Sequence, residues 1–340
     1  MDTTALSADD SGPAFRGLAT SIQRIGEMKT PGDAQTTDEF NIESVIRRVP
    51  DWAERAIRYS PVSGGISNSN WRVEVANGHE KTTYFLKVPG IGTEMFIDRR
   101  TAHEASVRAA ECGYGAPVFS FMEDCGVEIF EFMEGWHSSS NLDFLNGTVR
   151  HNALRALKAF NDQPLLTQTK TVFNMIDEHE DQRGTLRAAC PLDHEWLCRQ
   201  YARARRALEA SGVDLAPCMN DTLAGNFMLD AAHRVMLVDF EYASNNDRYY
   251  ELAMWFGEMF FDEQVELELI EEYFGRVGPR EIARVQLYKA LADLKWSAWA
   301  MVQRSVSRID FDFYKYGIWK YMRARTVMQD IRWESWLRQV

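Results

Sequence analysis

The apolar residues of this chain change their period once, and that change restricts its fold more than any other feature. Between about residues 57 and 135 they alternate in short runs, IRYSPV, SNWRVEV, TTYFLKVP, PVFSFME and GVEIFEFME, with turn residues between them, as strands do. Asn77-Gly78 is a hairpin signal between the second and third runs. One helix is expected inside this region, from Asp98 to Cys112 with Gly113 closing it. From about 140 onward the spacing is helical, with long segments near 150–161, 193–210, 247–275 and 280–304. One stretch, Val213 to Tyr242, interrupts the helices: NFML and VMLVDF flank a turn at Ala231-Ala232-His233 and carry polar residues in an apolar setting. Five strands with an inserted helix, followed by a helical remainder, predict an α+β protein with a small β-rich N-terminal lobe and a larger, mostly helical C-terminal lobe.

At 340 residues the chain is long enough for two such units. We place a leader at 1–45, the first lobe at 46–133 and the second at 134–340. In the leader, Phe15, Leu18, Ile22, Ile25 and Met28 share one helical face between Pro13 and Pro31, which predicts an amphipathic segment packed on the body of the protein. Acidic residues outnumber basic ones 50 to 38, a net charge of −12, which argues against a nucleic-acid partner and suits a cationic small molecule. No apolar run approaches the length of a membrane span and residues 1–40 lack a basic-then-apolar leader, so a cytoplasmic protein is expected. The five cysteines form no CxxC pair and are expected to be free, buried thiols; without HExxH, a zinc site is not expected.

The chemistry concentrates in the interruption. Met219-Asn220-Asp221-Thr222-Leu223-Ala224-Gly225-Asn226 is followed, thirteen residues after Asn226, by Asp239 within Val238-Asp239-Phe240-Glu241-Tyr242. Phosphoryl transfer from ATP needs a carboxylate facing the attacking hydroxyl, an amide oxygen on a metal ion, and a second carboxylate bridging metal and phosphates. Asp221, Asn226 and Asp239 supply these types in that order. Each motif alone reads as an ordinary polar loop or strand end; the two together, after a β-rich lobe, point to a kinase.

The pair resembles the signature motifs of the choline/ethanolamine kinase branch of the aminoglycoside phosphotransferase superfamily, over about residues 50–330. That resemblance implies a bilobal protein-kinase-like fold with ATP between the lobes and Mg²⁺ held by Asn226, Asp239 and Glu241. Gly64-Gly65-Ile66-Ser67-Asn68-Ser69-Asn70 is similar to the family's nucleotide-covering loop, so Ser67, Asn68, Ser69 and Asn70 are expected near the phosphates. Lys87 in FLKVP, with Glu104 on the following helix, resembles the kinase Lys–Glu pair, and Glu131 and Met133 fall where the hinge meets adenine. One departure is Met219, where the family usually has a histidine that braces the loop.

For the substrate, Trp296 and Trp299 lie three apart on a helix and share a face, as two indoles would to bind a quaternary ammonium; a core tryptophan stripe is the alternative. The WxxWxxxQ pattern resembles the family's choline-cage helix, Tyr316 falls where that family has another cage aromatic, and Glu258 resembles the acid that offsets the cation's charge. The implied reaction is ATP-dependent phosphorylation of the hydroxyl of a small amino alcohol such as choline. Ethanolamine, thiamine or an aminoglycoside stays open as substrate, as do a degenerate nucleotide- or amine-binding protein and a homodimer. A protein kinase lacks support, because no APE segment follows and Glu241 stands where those enzymes have glycine.

Overall fold

The computed structural model describes residues 27–63, 68–90, 97–307 and 309–340. Helix α1 (Thr37–Arg47) starts at a capping box in which Thr36 and Glu39 exchange side chain-to-backbone bonds. Strands β1 (Ala56–Val62), β2 (Asn68–Asn77) and β3 (Glu80–Pro89), helix α2 (Arg99–Glu111), and strands β4 (Val118–Met122) and β5 (Val127–Glu131) complete the small lobe. The sheet is antiparallel in the order β1-β2-β3-β5-β4. The β2–β3 hairpin turns at Gly78, whose φ of +64° explains the glycine.

Alternation gives the sheet two faces. Trp71, Val73 and Val75 of β2 pack with Tyr59, Leu86 and Ile129 under Ile42, Val45 and Ile46 of α1. Consequently α1 belongs to the lobe's core, and the boundary drawn at 45/46 falls inside it; an isolated bridge from Lys29 to Tyr59 extends the lobe further towards the N-terminus. The amphipathic segment expected over 15–28 lies, save for Met28, outside the described residues.

The larger lobe contains β6 (His137–Ser138), α3 (Gly147–Asn161), α4 (Val172–Leu186), α5 (His194–Ala210), β7 (Leu215–Cys218), β8 (Phe227–Leu229), β9 (Val235–Leu237), β10 (Ser244–Asp247), α6 (Arg248–Met259), α7 (Glu263–Phe274), α8 (Pro279–Val306), α9 (Phe313–Met328) and α10 (Trp333–Gln339). The segment expected as one helix over 247–275 is two: Phe260 adopts a left-handed C-cap at φ +55° and Asp262 caps the next helix. Helices α4, α9 and α10 were not expected. Residues 287–302 of α8 are almost all buried, so its sequence lacks the one-sided pattern of a surface helix. Among the described residues no helix is long and apolar enough to cross a membrane. Of the cysteines only Cys218 is buried; Cys125, in a turn, and Cys190, in the loop between α4 and α5, are exposed outside the cores.

Candidate active site

A cavity of about 730 Å³ lies between the lobes, with Asn70, Lys87, Asp221, Asn226, Asp239 and the Trp296–Trp299 pair in its wall. Its small-lobe side is the sheet face opposite the core. Residues 68, 70, 85 and 87 share that face, so Asn68, Asn70, Phe85 and Lys87 reach the cavity. Ser69, expected with them, is absent from the cavity wall because alternation turns it to the other face. Ser67 lies outside the described residues. Glu131 and Met133 line the same cleft beside Phe130, Phe132 and Leu237, an apolar slot suited to a flat heterocycle.

Lys87 is buried, and its Nζ donates to Asp239 Oδ1 (2.5 Å) with Glu241 Oε1 at 3.4 Å. Burial works against the ammonium, but Asp239, Glu241 and Glu128 more than offset it and raise its pKa. Glu104 is not the partner expected for this lysine. Its Oε2 accepts from the Thr167 backbone N–H (2.9 Å) and its Oε1 faces Arg108. The helix phase explains the difference: α2 turns Ser106 to the cleft, while Glu104 points to the helical lobe. The small-lobe carboxylate beside Lys87 is Glu128, directly across in the β3–β5 register and bonded to His103.

The loop carrying Asp221 is held by buried groups. The fully buried Glu251 accepts from the backbone N–H of Met219 (2.6 Å) and of Asn220 (3.0 Å). Asn220, at φ +58°, donates through Nδ2 to Tyr242 O and Ser244 Oγ and accepts from Asn246. Asn226 Nδ2 donates to Asp221 O (2.8 Å), which fixes the amide's orientation. Asp239 sits at φ +67°, a sparsely used backbone region of the kind found where a side chain is aimed at a site. Glu241, expected to hold the metal, lines the cavity, and its Oε1 accepts from Asn68 (2.7 Å) and Arg99 (2.6 Å), besides its contact with Lys87, so it also clasps the two lobes together.

At the other end of the cavity the indoles of Trp296 and Trp299 meet edge-to-face, with centroids 5.2 Å apart at 79°. Tyr242 stands against Trp296 (5.2 Å) and Tyr316 against Trp299 (6.3 Å), and Phe311 closes on Tyr316 (6.0 Å). Glu258 does not line the cavity. It is buried behind it, paired with Lys320 and within 3.6 Å of Arg323, both of which also engage Asp293.

Lys295 was not singled out from the sequence. It is 1% exposed, and its Nζ has no hydrogen-bond partner among the described residues. Its Nζ lies 3.0 Å from the Trp296 centroid and 4.7 Å from that of Tyr242. Burial pushes its pKa well down while Asp221 opposes the shift. A lysine in the buried middle of α8 and a glutamate in the wholly buried stretch of α6 were the available signals for Lys295 and Glu251, because charges survive in such runs only for a reason.

Burial and the nearby Asp239 push the Asp221 carboxyl up to about 7, against the pull of Lys295. As a general base Asp221 would have to be ionised, so kcat/KM would fall on the acid side of about pH 7, approaching tenfold per pH unit. A pH–rate profile on the free enzyme checks this; a flat profile down to pH 5 would remove Asp221 from proton transfer.

A family model described as choline/ethanolamine kinase matches residues 59–271, more than half of the chain. A probable ethanolamine kinase of Nematostella vectensis is 25% identical, over 88% of this chain and 94% of its own length. Probable choline kinase 2 of Arabidopsis thaliana is 27% identical, over 82% and 92%. Among solved structures, a choline/ethanolamine kinase family protein from Mesorhizobium loti superposes with a TM-score of 0.74 at 24% identity, covering 88% of this chain and 98% of the other, a likeness of fold.

Proposed function

The chain belongs to the choline/ethanolamine kinase family, a phosphotransferase family acting on an alcohol group, and we propose that within it the preferred acceptor is choline. The observation that carries this reading is the composition of the cage end of the cleft. Tyr242, Trp296, Trp299, Phe311 and Tyr316 surround it, and the carboxylate there is Asp221, which the hydroxyl requires. Glu258, the carboxylate that could have received an ammonium's N–H groups, is committed to Lys320 and Arg323. A primary ammonium entering this box loses water without regaining acceptors, whereas a trimethylammonium has no N–H to satisfy and gains from ring faces.

The chemistry follows from positions. Asp221 orients the acceptor hydroxyl and takes its proton as the new O–P bond forms and the bond to the ADP oxygen breaks. Asn226 and Asp239 fit Mg²⁺: both offer oxygen donors, and the Asn226 amide nitrogen is already spent on Asp221 O, which leaves its oxygen for a cation. When bound, the ion neutralises the phosphate charge. Lys87, held at Asp239, supplies a fixed positive charge for the α/β-phosphates, and Asn68 and Asn70 supply amide donors beside them.

Choline should exceed ethanolamine in kcat/KM by roughly one to two orders of magnitude, about 1.4–2.8 kcal/mol. Trp299→Ala should erase most of that ratio. Measuring kcat/KM for both alcohols in wild type and variant at one ionic strength tests the reading. Ethanolamine preferred by the wild type, or a ratio that survives the loss of the indole, would show the tryptophans to be core residues.

A further inference from the structure

Away from the cleft, α4 and α5 bring together three side chains that the sequence keeps apart. Glu180 comes from α4; His194 and Cys198, four residues apart, share one face of α5. All three are half-buried, and one ligand atom from each lies within 4.8 Å of the others. His194 Nε2 is 3.1 Å from Glu180 Oε2 and 3.2 Å from Oε1, and Cys198 Sγ is 3.7 Å from the same nitrogen.

These separations have a meaning for one class of ion. With metal–sulfur near 2.3 Å, metal–nitrogen near 2.0–2.1 Å and metal–oxygen near 2.0–2.2 Å, a tetrahedral centre sets its ligand atoms about 3.6 Å apart for S···N and about 3.4 Å for N···O. The S···N and N···O separations match those edges within about 0.3 Å, and the sulfur and the carboxylate lie within 4.8 Å of each other. Arg183 Nε holds Glu180 Oε2 at 2.8 Å, which anchors the carboxylate and leaves Oε1 to turn to a metal. A thiolate and an imidazole disfavour magnesium and calcium and select a borderline-soft divalent ion.

We propose that Glu180, His194 and Cys198 form a binding site for a divalent transition metal of the zinc class, separate from the catalytic Mg²⁺ site. Binding forms metal–S, metal–N and metal–O bonds and releases the Cys198 thiol proton together with any proton His194 shares with Glu180, so affinity rises with pH. The ion staples α4 to α5, and α4 packs against α8, which carries Trp296 and Trp299. The absence of CxxC and HExxH hides such a site from the sequence, since its ligands come from two helices.

The test is a cobalt(II) titration of the full chain in magnesium-free buffer with a thiol-free reductant. One equivalent should produce a thiolate-to-cobalt charge-transfer band and the visible bands of a tetrahedral centre, and zinc should bleach both. Cys198→Ser should abolish the charge-transfer band and weaken cobalt binding more than tenfold, as should His194→Ala if it folds. Cys190→Ser, which removes the exposed thiol four residues upstream of His194, should change neither. Zinc should raise the melting temperature of wild type and not of Cys198→Ser. A missing or non-saturable band, a band that survives Cys198→Ser, or one lost with Cys190→Ser overturns the proposal.

Discussion

Asp239→Ala should lower kcat by about 10³-fold or more, the scale on which phosphoryl transfer suffers when a charge-neutralising partner is removed. The fold should survive, because Lys87 keeps Glu241 at 3.4 Å as a counter-ion and Asp239 itself is partly exposed to the cleft. The informative contrast is with Asp221→Asn. That change should cost about 10²–10⁴-fold in kcat as expected for loss of a positioned base, with nucleotide affinity almost unchanged, because the role proposed for Asp221 is on the hydroxyl and not on ATP. Asp239→Ala should weaken Mg²⁺-dependent nucleotide binding as well. Steady-state kinetics with nucleotide titration in each variant checks both. Wild-type-like turnover in Asp239→Ala, or lost nucleotide binding in Asp221→Asn, would mean that the two carboxylates have been assigned the wrong roles.

What the sequence made legible was whatever depends on neighbours along the chain. Strand β2 announced itself because Trp71, Val73 and Val75 alternate, and that alternation is what buries them. The spacing of Asp221, Asn226 and Asp239 was readable because a short loop and a two-strand hairpin connect them. Where the reading missed, the partner lay far away in sequence. Glu104 was paired with Lys87 on the strength of an adjacent helix, yet the β3–β5 register brings Glu128 there instead. Glu258 was read as the acid that offsets a bound cation's charge, and its pairing with Lys320, sixty-two positions on, is a fact of packing between α6 and α9 that no local pattern contains. Glu241 likewise meets Asn68 and Arg99 only when the lobes come together. A charge in an apolar run says that a partner exists; it does not say which.

The same logic accounts for Met219, the one departure from the family pattern in the catalytic loop, and it leads to the second large effect. Met219 is fully buried in the main core, so its side chain is packing material. The loop is gripped instead through its backbone, by the two N–H groups that Glu251 receives. The two tasks of filling space and holding the loop are therefore carried by different residues, and substitutions should separate them. Met219→Ala removes side-chain volume from the core and should cost about 2–5 kcal/mol of stability, with kcat close to wild type under conditions where the variant is folded. Glu251→Ala leaves two buried amide N–H groups without an acceptor, at about 1–3 kcal/mol each, and releases the strand-to-loop turn that aims Asp221. It should therefore lower both stability and kcat, whereas Glu251→Gln, which keeps one acceptor oxygen, should fall between it and wild type. Denaturant unfolding together with kcat for the three variants distinguishes the roles. If Glu251→Ala stays within about 1 kcal/mol of wild type and turns over normally, the grip is redundant, and Asn220 with its bonds to Tyr242, Ser244 and Asn246 holds the loop alone.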